Sequence, residues 1–221
     1  RASRTRRWTW PWPSPSPPPP PTTTTTSGSW RSGNPRSPFP EEINRRLTTQ
    51  LAALHLSPTS ESVRNLLRDN VDPDTIFVTG NSVIDALMIT VDRKPRVEHA
   101  ALADRLHGQR PFVLVTAHRR ESWGEPLRQV GRALGRLAEA FPDHDFVFPA
   151  HANPMVREAI APGVSGKPNV IITDPLPYPQ FCALLDGCTL ILSDSGGVQE
   201  EGPSLGKPVL VMRDTTERPE A

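Results

Sequence analysis

Residues 112–156 read FVLVTAHRRESWGEPLRQVGRALGRLAEAFPDHDFVFPAHANPMV, and their rhythm decides the fold. Phe112, Val113, Leu114 and Val115 form a continuous apolar run, as a strand covered on both faces requires. Leu127, Val130, Leu134, Leu137 and Phe141 then recur at steps of three and four, the stripe of an amphipathic helix. Phe146, Val147 and Phe148 supply the next strand, and Met155, Val156, Ala159 and Ile160 begin the next helix.

The same alternation continues outward. Val170, Ile171 and Ile172 predict a third strand, followed by a helix carrying Phe181, Leu184 and Leu185. Leu190, Ile191 and Leu192, then Val209, Leu210 and Val211, predict strands on either side of a segment that starts at Gly196. Upstream, Ile76 to Thr79 is a short β-rich run ending in Gly80-Asn81, and Val83, Ile84, Ala86 and Leu87 follow with helical spacing. Continuous apolar strands alternating with helices build a parallel sheet covered on both faces, so the expected class is α/β and Rossmann-like.

Composition sets the limits. Eleven of the 27 prolines in the 221 residues lie within residues 1–40, together with six of the 25 basic residues and no acid. Residues 41–221 therefore hold 19 basic against 24 acidic groups, which argues against a basic nucleic-acid-binding face on the folded part. The proline run at 17–21 and the five threonines after it offer no face to bury, and residues 1–30 are expected to be a disordered tail. No apolar run reaches the roughly 18 residues of a membrane-spanning helix, so a soluble chain without a membrane partner is expected. Cys182 and Cys188 are six residues apart on one helical segment and face different ways, which predicts buried free thiols in a reducing compartment.

In such a sheet, ligands gather beyond the carboxyl ends of the strands. The chain leaves those ends through Thr116-Ala117-His118-Arg119-Arg120-Glu121, Pro149-Ala150-His151-Ala152-Asn153, Thr173-Asp174 and Ser193-Asp194-Ser195-Gly196-Gly197. The edge is polar, cationic and suited to an anion. Ser195-Gly196-Gly197 lets backbone N–H groups approach a phosphate, although an ordinary tight turn would use the same residues. Glu200 and Glu201 follow it; a carboxylate there fits a helix start, or accepts hydrogen bonds from a sugar diol. His118, beside Arg119 and Arg120, suits a diphosphate. No HExxH spacing or carboxylate–histidine cluster points to a metal.

Six segments occur in order: Pro38-Phe39-Pro40-Glu41-Glu42-Ile43-Asn44-Arg45, Val78-Thr79-Gly80-Asn81-Ser82-Val83-Ile84-Asp85, residues 116–121, His151-Ala152-Asn153-Pro154, Ser195-Gly196-Gly197-Val198-Gln199-Glu200-Glu201, and residues 216–221. Together, over residues 31–221, they resemble the non-hydrolysing UDP-N-acetylglucosamine 2-epimerase family. The resemblance implies the C-terminal half of a glycosyltransferase-B-like two-domain fold that takes a UDP-sugar as substrate. It implies interconversion of UDP-GlcNAc and UDP-ManNAc with no cofactor, neither NAD nor metal. A base removes the C2 proton, UDP leaves to give 2-acetamidoglucal, and UDP adds back with the proton on the opposite face. Carried over by position, His118 and Glu41 are the implied catalytic residues, Glu41 for proton transfer; Glu42 is its neighbouring alternative, and a helix-capping role is Glu41's other reading. Ser195, Gly196 and Gly197 match the phosphate turn, Glu201 the ribose-binding glutamate, Arg218 a nucleotide-contacting arginine, and Phe181 the position that packs uracil. The resemblance also implies a cytoplasmic homodimer for full-length members, with no nucleic-acid partner.

The family's first half is not found. Residues 1–30 stand where part of it should lie, 31–107 read as a remnant of the N-terminal domain and its connection, and 108–221 as the nucleotide-binding domain. The abrupt switch near residue 31 reads as a reading-frame error or a truncated gene, and the chain stops before the family's final helices. The alternatives are a non-catalytic UDP-binding remnant and a glycosyltransferase of the same fold. Losing half of a cleft removes positioning along with chemistry. The 221-residue polypeptide incubated with UDP-GlcNAc is therefore expected to form negligible UDP-ManNAc. Product appearing at an ordinary enzymatic rate, about 1 per second or faster, contradicts this expectation.

Overall fold

The computed structural model describes residues 23–24, 34–36, 39–100, 102–103, 110–119, 123–213 and 216. The tail expected over 1–30 lies outside the described residues apart from Thr23 and Thr24, and so does Arg218. The chain divides after Gly80 into two compact units.

The first unit holds a three-stranded parallel sheet in the order β1 (Thr23–Thr24), β2 (Leu54–Ser57), β3 (Ile76–Val78). Helix α1 (Glu41–Leu51) precedes β2, and α2 (Ser60–Arg68) follows it. Thr59 starts α2 by accepting from the Ser62 N–H, and Leu66 anchors the helix fully buried. Sequence periodicity did not indicate β2 or α2. In β2 the polar His55 and Ser57 are the buried residues, while Leu54 and Leu56 are only half-buried, so the strand carries no apolar alternation.

The second unit opens with α3 (Ser82–Asp92), capped by Asn81 through its Oδ1 and the Val83 N–H at 3.1 Å. Then come β4 (Phe112–Thr116), α4 (Glu125–Ala140), β5 (Asp145–Pro149), α5 (Pro154–Val164), β6 (Val170–Thr173), α6 (Tyr178–Gly187), β7 (Leu190–Ser193), α7 (Val198–Ser204) and β8 (Val209–Val211). All five strands are parallel, in the spatial order β6-β5-β4-β7-β8. The α/β class and the strand–helix alternation read from residues 112–211 are the ones the chain adopts.

Period-two geometry sends alternate residues of β4 to opposite faces of the sheet. Val113 and Val115 pack with Leu127, Leu134, Val156 and Ile160 of α4 and α5. Phe112 and Leu114 pack with Leu87, Leu184, Leu185 and Val198 of α3, α6 and α7. Both faces are covered, which is why β4 is apolar from Phe112 to Val115. Cys182 and Cys188 lie in the second cluster as buried free thiols, and burial pushes Cys188 up to about 11.

Helices α4 and α5 touch backbone to backbone. A Cβ on Gly135 would lie 2.0 Å from the Gly163 carbonyl oxygen, and one on Gly163 would lie 2.3 Å from the Gly131 carbonyl carbon. Only the missing side chains permit this approach. Asn169 closes the end of α4, donating through Nδ2 to the carbonyls of Ala138 at 3.0 Å and His144 at 3.0 Å. The variant Gly135→Ala is expected to cost about 1–3 kcal/mol through overpacking, read as an earlier midpoint in urea denaturation. An unchanged midpoint would mean that the helices part without penalty.

Candidate functional site

In the second unit, strand order reverses between β4 and β7. Helices after β4 and β5 cover one face and those after β6 and β7 cover the other, so the connections leaving β4 and β7 diverge. A crevice opens at such a switch point, beyond the carboxyl ends of the two central strands. The chain places His118 just after β4, and Asp194, Ser195, Gly196 and Gly197 just after β7.

Buried polar groups hold the two strand ends together. The hydroxyls of Thr116 and Ser193 share a hydrogen bond of 2.6 Å across the β4–β7 pair. Ser193 Oγ also accepts from the Ser195 N–H at 2.9 Å, which sets the direction in which the chain leaves β7. Asp194, only 1% exposed, accepts through Oδ2 from the N–H groups of His118 and Arg119, each at 2.9 Å. Its Oδ1 lies 3.2 Å from Nδ1 of the half-exposed His118 ring. Burial alone would raise the Asp194 carboxyl. The His118 side chain and the Arg119 and His118 N–H groups outweigh it and hold the carboxyl below its ordinary range.

Among the described residues, two side chains border the missing Cβ of Gly197. A Cβ built there would sit 3.9 Å from Glu201 Oε2 and 4.0 Å from Ser195 Oγ. The gap left by this glycine is thus flanked by a hydroxyl and a carboxylate. Glu201 is buried, and its charge, behind burial and the Cys182 contact, helps to raise the Tyr178 hydroxyl on α6. Glu200 turns away and accepts from Asn81 Nδ2 at 2.5 Å, tying the start of α3 to α7.

Gln199, buried beside them, makes two contacts. Its Nε2 donates to the Ser195 carbonyl at 3.2 Å, and its Oε1 accepts from Thr216 Oγ1 at 2.6 Å. It joins the glycine turn to the segment after β8. His151, by contrast, is exposed, and its Nδ1 accepts from the Asn153 N–H at 3.1 Å, shaping its own loop.

Five of the expected site residues therefore gather at one edge: His118, Ser195, Gly196, Gly197 and Glu201. Phe181 lies on α6, half-buried and packed against the second core cluster. Glu41 begins α1 in the first unit with an exposed side chain. Pro40 occupies the capping position, with no side-chain cap bond at that helix start. The adjacent Glu42 is fully buried, with Arg45 Nη1 at 3.5 Å and Arg46 Nε at 3.4 Å. Asp194 and Gln199 stand inside the sequence motifs with no role that the motifs indicate; an acid at a strand's carboxyl end in a covered sheet is the usable signal for Asp194. Among the described residues no three His, Cys, Asp or Glu side chains converge as metal ligands. Nor is any described helix long and apolar enough to cross a membrane.

Residues 26–221 match the family model described as UDP-N-acetylglucosamine 2-epimerase. The chain belongs to that family. A probable UDP-N-acetylglucosamine 2-epimerase of Ralstonia nicotianae is 51% identical over 196 residues, covering 86% of this chain and 52% of the relative. The UDP-N-acetylglucosamine 2-epimerase of Escherichia coli is 50% identical over the same shares. The crystal structure of the Neisseria meningitidis UDP-GlcNAc 2-epimerase bound to UDP-GlcNAc superposes with a TM-score of 0.80 at 42% identity, over 90% of this chain and 55% of that one. This member of the family spans about half the length of the curated relatives it matches.

The bridge made by Gln199 predicts a local effect. In Gln199→Leu the helix remains but both side-chain hydrogen bonds are lost, together about 1–3 kcal/mol. Hydrogen exchange at the amides of residues 195–197 is expected to accelerate about tenfold or more, with far-ultraviolet circular dichroism unchanged. Unaltered exchange there would show that Gln199 does not steady the turn.

Proposed function

We propose that the second unit binds the uridine diphosphate of a UDP-sugar, and that the whole protein is a UDP-GlcNAc 2-epimerase, an isomerase using no NAD or metal. The observation that carries this reading is the gap over Gly197, with Ser195 Oγ and the Glu201 carboxylate within about 4 Å of one point. A glycine there lets phosphate oxygens approach backbone N–H groups, and a carboxylate facing the gap accepts the two hydrogen bonds of a ribose diol. Relatives about half identical to this chain carry the epimerase name, and the Neisseria meningitidis structure holds UDP-GlcNAc.

The proposed chemistry follows from what resists it. The C2 proton of the sugar is not acidic, so its removal must be coupled to departure of the group at C1. The C1–O bond breaks, its electron pair leaves with the diphosphate, and a C1–C2 double bond forms as a base takes the proton. Groups that stabilise charge on the departing diphosphate lower that barrier. In this reading His118, the Ser195 hydroxyl and the N–H groups of Gly196 and Gly197 take that role, Arg218 contacts the nucleotide and Phe181 packs uracil. Glu41 is assigned to proton transfer, and the buried, arginine-paired state of Glu42 supports choosing the exposed neighbour. The complete protein is assigned to the cytoplasm as a homodimer, in keeping with free buried thiols.

Titration of the chain with UDP tests the binding half of the proposal. Glu201→Ala is expected to weaken UDP about 10- to 100-fold, the worth of hydrogen bonds to a charged group, while inorganic pyrophosphate binding stays unchanged. Equal losses for both ligands, or none for UDP, would remove the ribose assignment.

A further inference from the structure

Asp194 spends one carboxylate on two tasks. Oδ2 takes both backbone N–H groups of the turn after β4, fixing the path of residues 118 and 119. Oδ1 is buried, and no hydrogen bond among the described residues satisfies it. The group nearest to meeting that need is Nδ1 of His118, at an ion-pair distance of 3.2 Å and short of a fully aligned hydrogen bond.

A buried carboxylate oxygen without a donor has lost its hydration with nothing in return, so the fold favours any arrangement that supplies one. A neutral imidazole carries its proton on one nitrogen and a lone pair on the other. With the lone pair on Nδ1, that lone pair would face the carboxylate and two acceptors would repel. With the proton on Nδ1, the carboxylate is satisfied. Nε2 occupies the other edge of the ring, which is 46% exposed, and it has no hydrogen-bond partner among the described residues.

We propose that Asp194 is a positioning residue for His118, holding the imidazole in the Nδ1–H form so that Nε2 is the ring atom presented to the ligand beyond β4 and β7. The ligand's identity rests on the uridine diphosphate reading above; the tautomer does not. The low position of the Asp194 carboxyl fits the assignment, because only an ionised Asp194 offers Oδ1 as an acceptor. Ring and backbone are fixed by the same side chain, so His118 cannot swing without losing its contact to β7. If the ring takes a second proton, Nε2–H becomes a donor toward a phosphate oxygen, and the Asp194 charge balances the imidazolium.

The experiment uses the full 221-residue chain labelled with nitrogen-15 histidine. Long-range proton–nitrogen correlation spectra, which separate the two neutral tautomers from the doubly protonated ring, are recorded near pH 8.5, about two units above the ordinary histidine value. The His118 signals are assigned by their loss in His118→Gln. The unaltered chain is expected to show His118 protonated on Nδ1. In Asp194→Asn the amide oxygen can still accept the two backbone N–H groups, but the amide NH2 faces Nδ1, so the proton is expected to move to Nε2. A parallel titration with UDP is expected to show about tenfold weaker binding in Asp194→Asn, with Asp194→Glu recovering part of the loss. An Nε2–H form in the unaltered chain overturns the proposal even if the variants do not fold, and so does an Nδ1–H form that persists in folded Asp194→Asn. Failure of UDP to bind the unaltered chain overturns the ligand reading alone, because the tautomer is read without ligand.

Discussion

The edge-to-edge pairing of β4 with β7 is the constraint on which the site depends. These strands are neighbours in the sheet but lie far apart in the chain, with two complete strand–helix units between them. The crossovers after β4 and β7 cover opposite faces, so the two exits part and leave space beyond the pair. A hydrophobic sheet alone would not fix what fills that space. The polar groups do: the Thr116–Ser193 hydroxyl pair inside the ladder, the Ser193 bond to the Ser195 N–H, and the Asp194 bonds to residues 118 and 119. Each is buried enough that leaving it unpaired would be costly, and each links one strand end to the other or to its own exit.

This coupling explains why the candidate residues His118, Ser195 and Gly196 sit on loops yet need not wander. Loops carry function because they are free of the sheet's repeating geometry, but a site also needs its groups held in place. Here the hold comes from side chains of the strand ends. Gln199 extends the same logic one turn into α7 by reaching back to the Ser195 carbonyl and outward to Thr216. The close contact of α4 and α5 serves a different purpose. It lets two helices share one side of a narrow sheet, and it leaves the opposite side to α3, α6 and α7.

Most of the fold was legible because the second unit is hydrophobic in the way a covered parallel sheet must be. Its strands are unbroken apolar runs, and its helices keep a three-and-four spacing. The first unit was less legible because β2 buries His55 and Ser57 instead of aliphatic residues, and no hydrophobic pattern can report that. At the site, position at the strand ends pointed to His118 and the glycine turn, and the family resemblance chose Glu201 over Glu200. The role of Asp194 depends on a partner 76 residues away in the chain, a relation no local pattern contains. Arg218 lies outside the described residues, so its assignment rests on the family motif.

Consecutive acidic residues show most directly what a linear reading leaves open. Successive positions on a helix point about 100° apart, so a Glu-Glu pair cannot serve one purpose twice. In α7, Glu200 turns toward Asn81 and fastens α3, while Glu201 flanks the gap over Gly197. In α1, Glu42 turns inward to Arg45 and Arg46, while Glu41 stays in contact with solvent. A buried carboxylate already held by two cations is poorly suited to collecting a proton from a substrate, because giving up its charge would strand both partners. The same physics therefore gives the members of each pair different surroundings: Glu42 meets arginines and Glu200 meets Asn81, whereas Glu41 faces solvent and Glu201 lies beside Gly197.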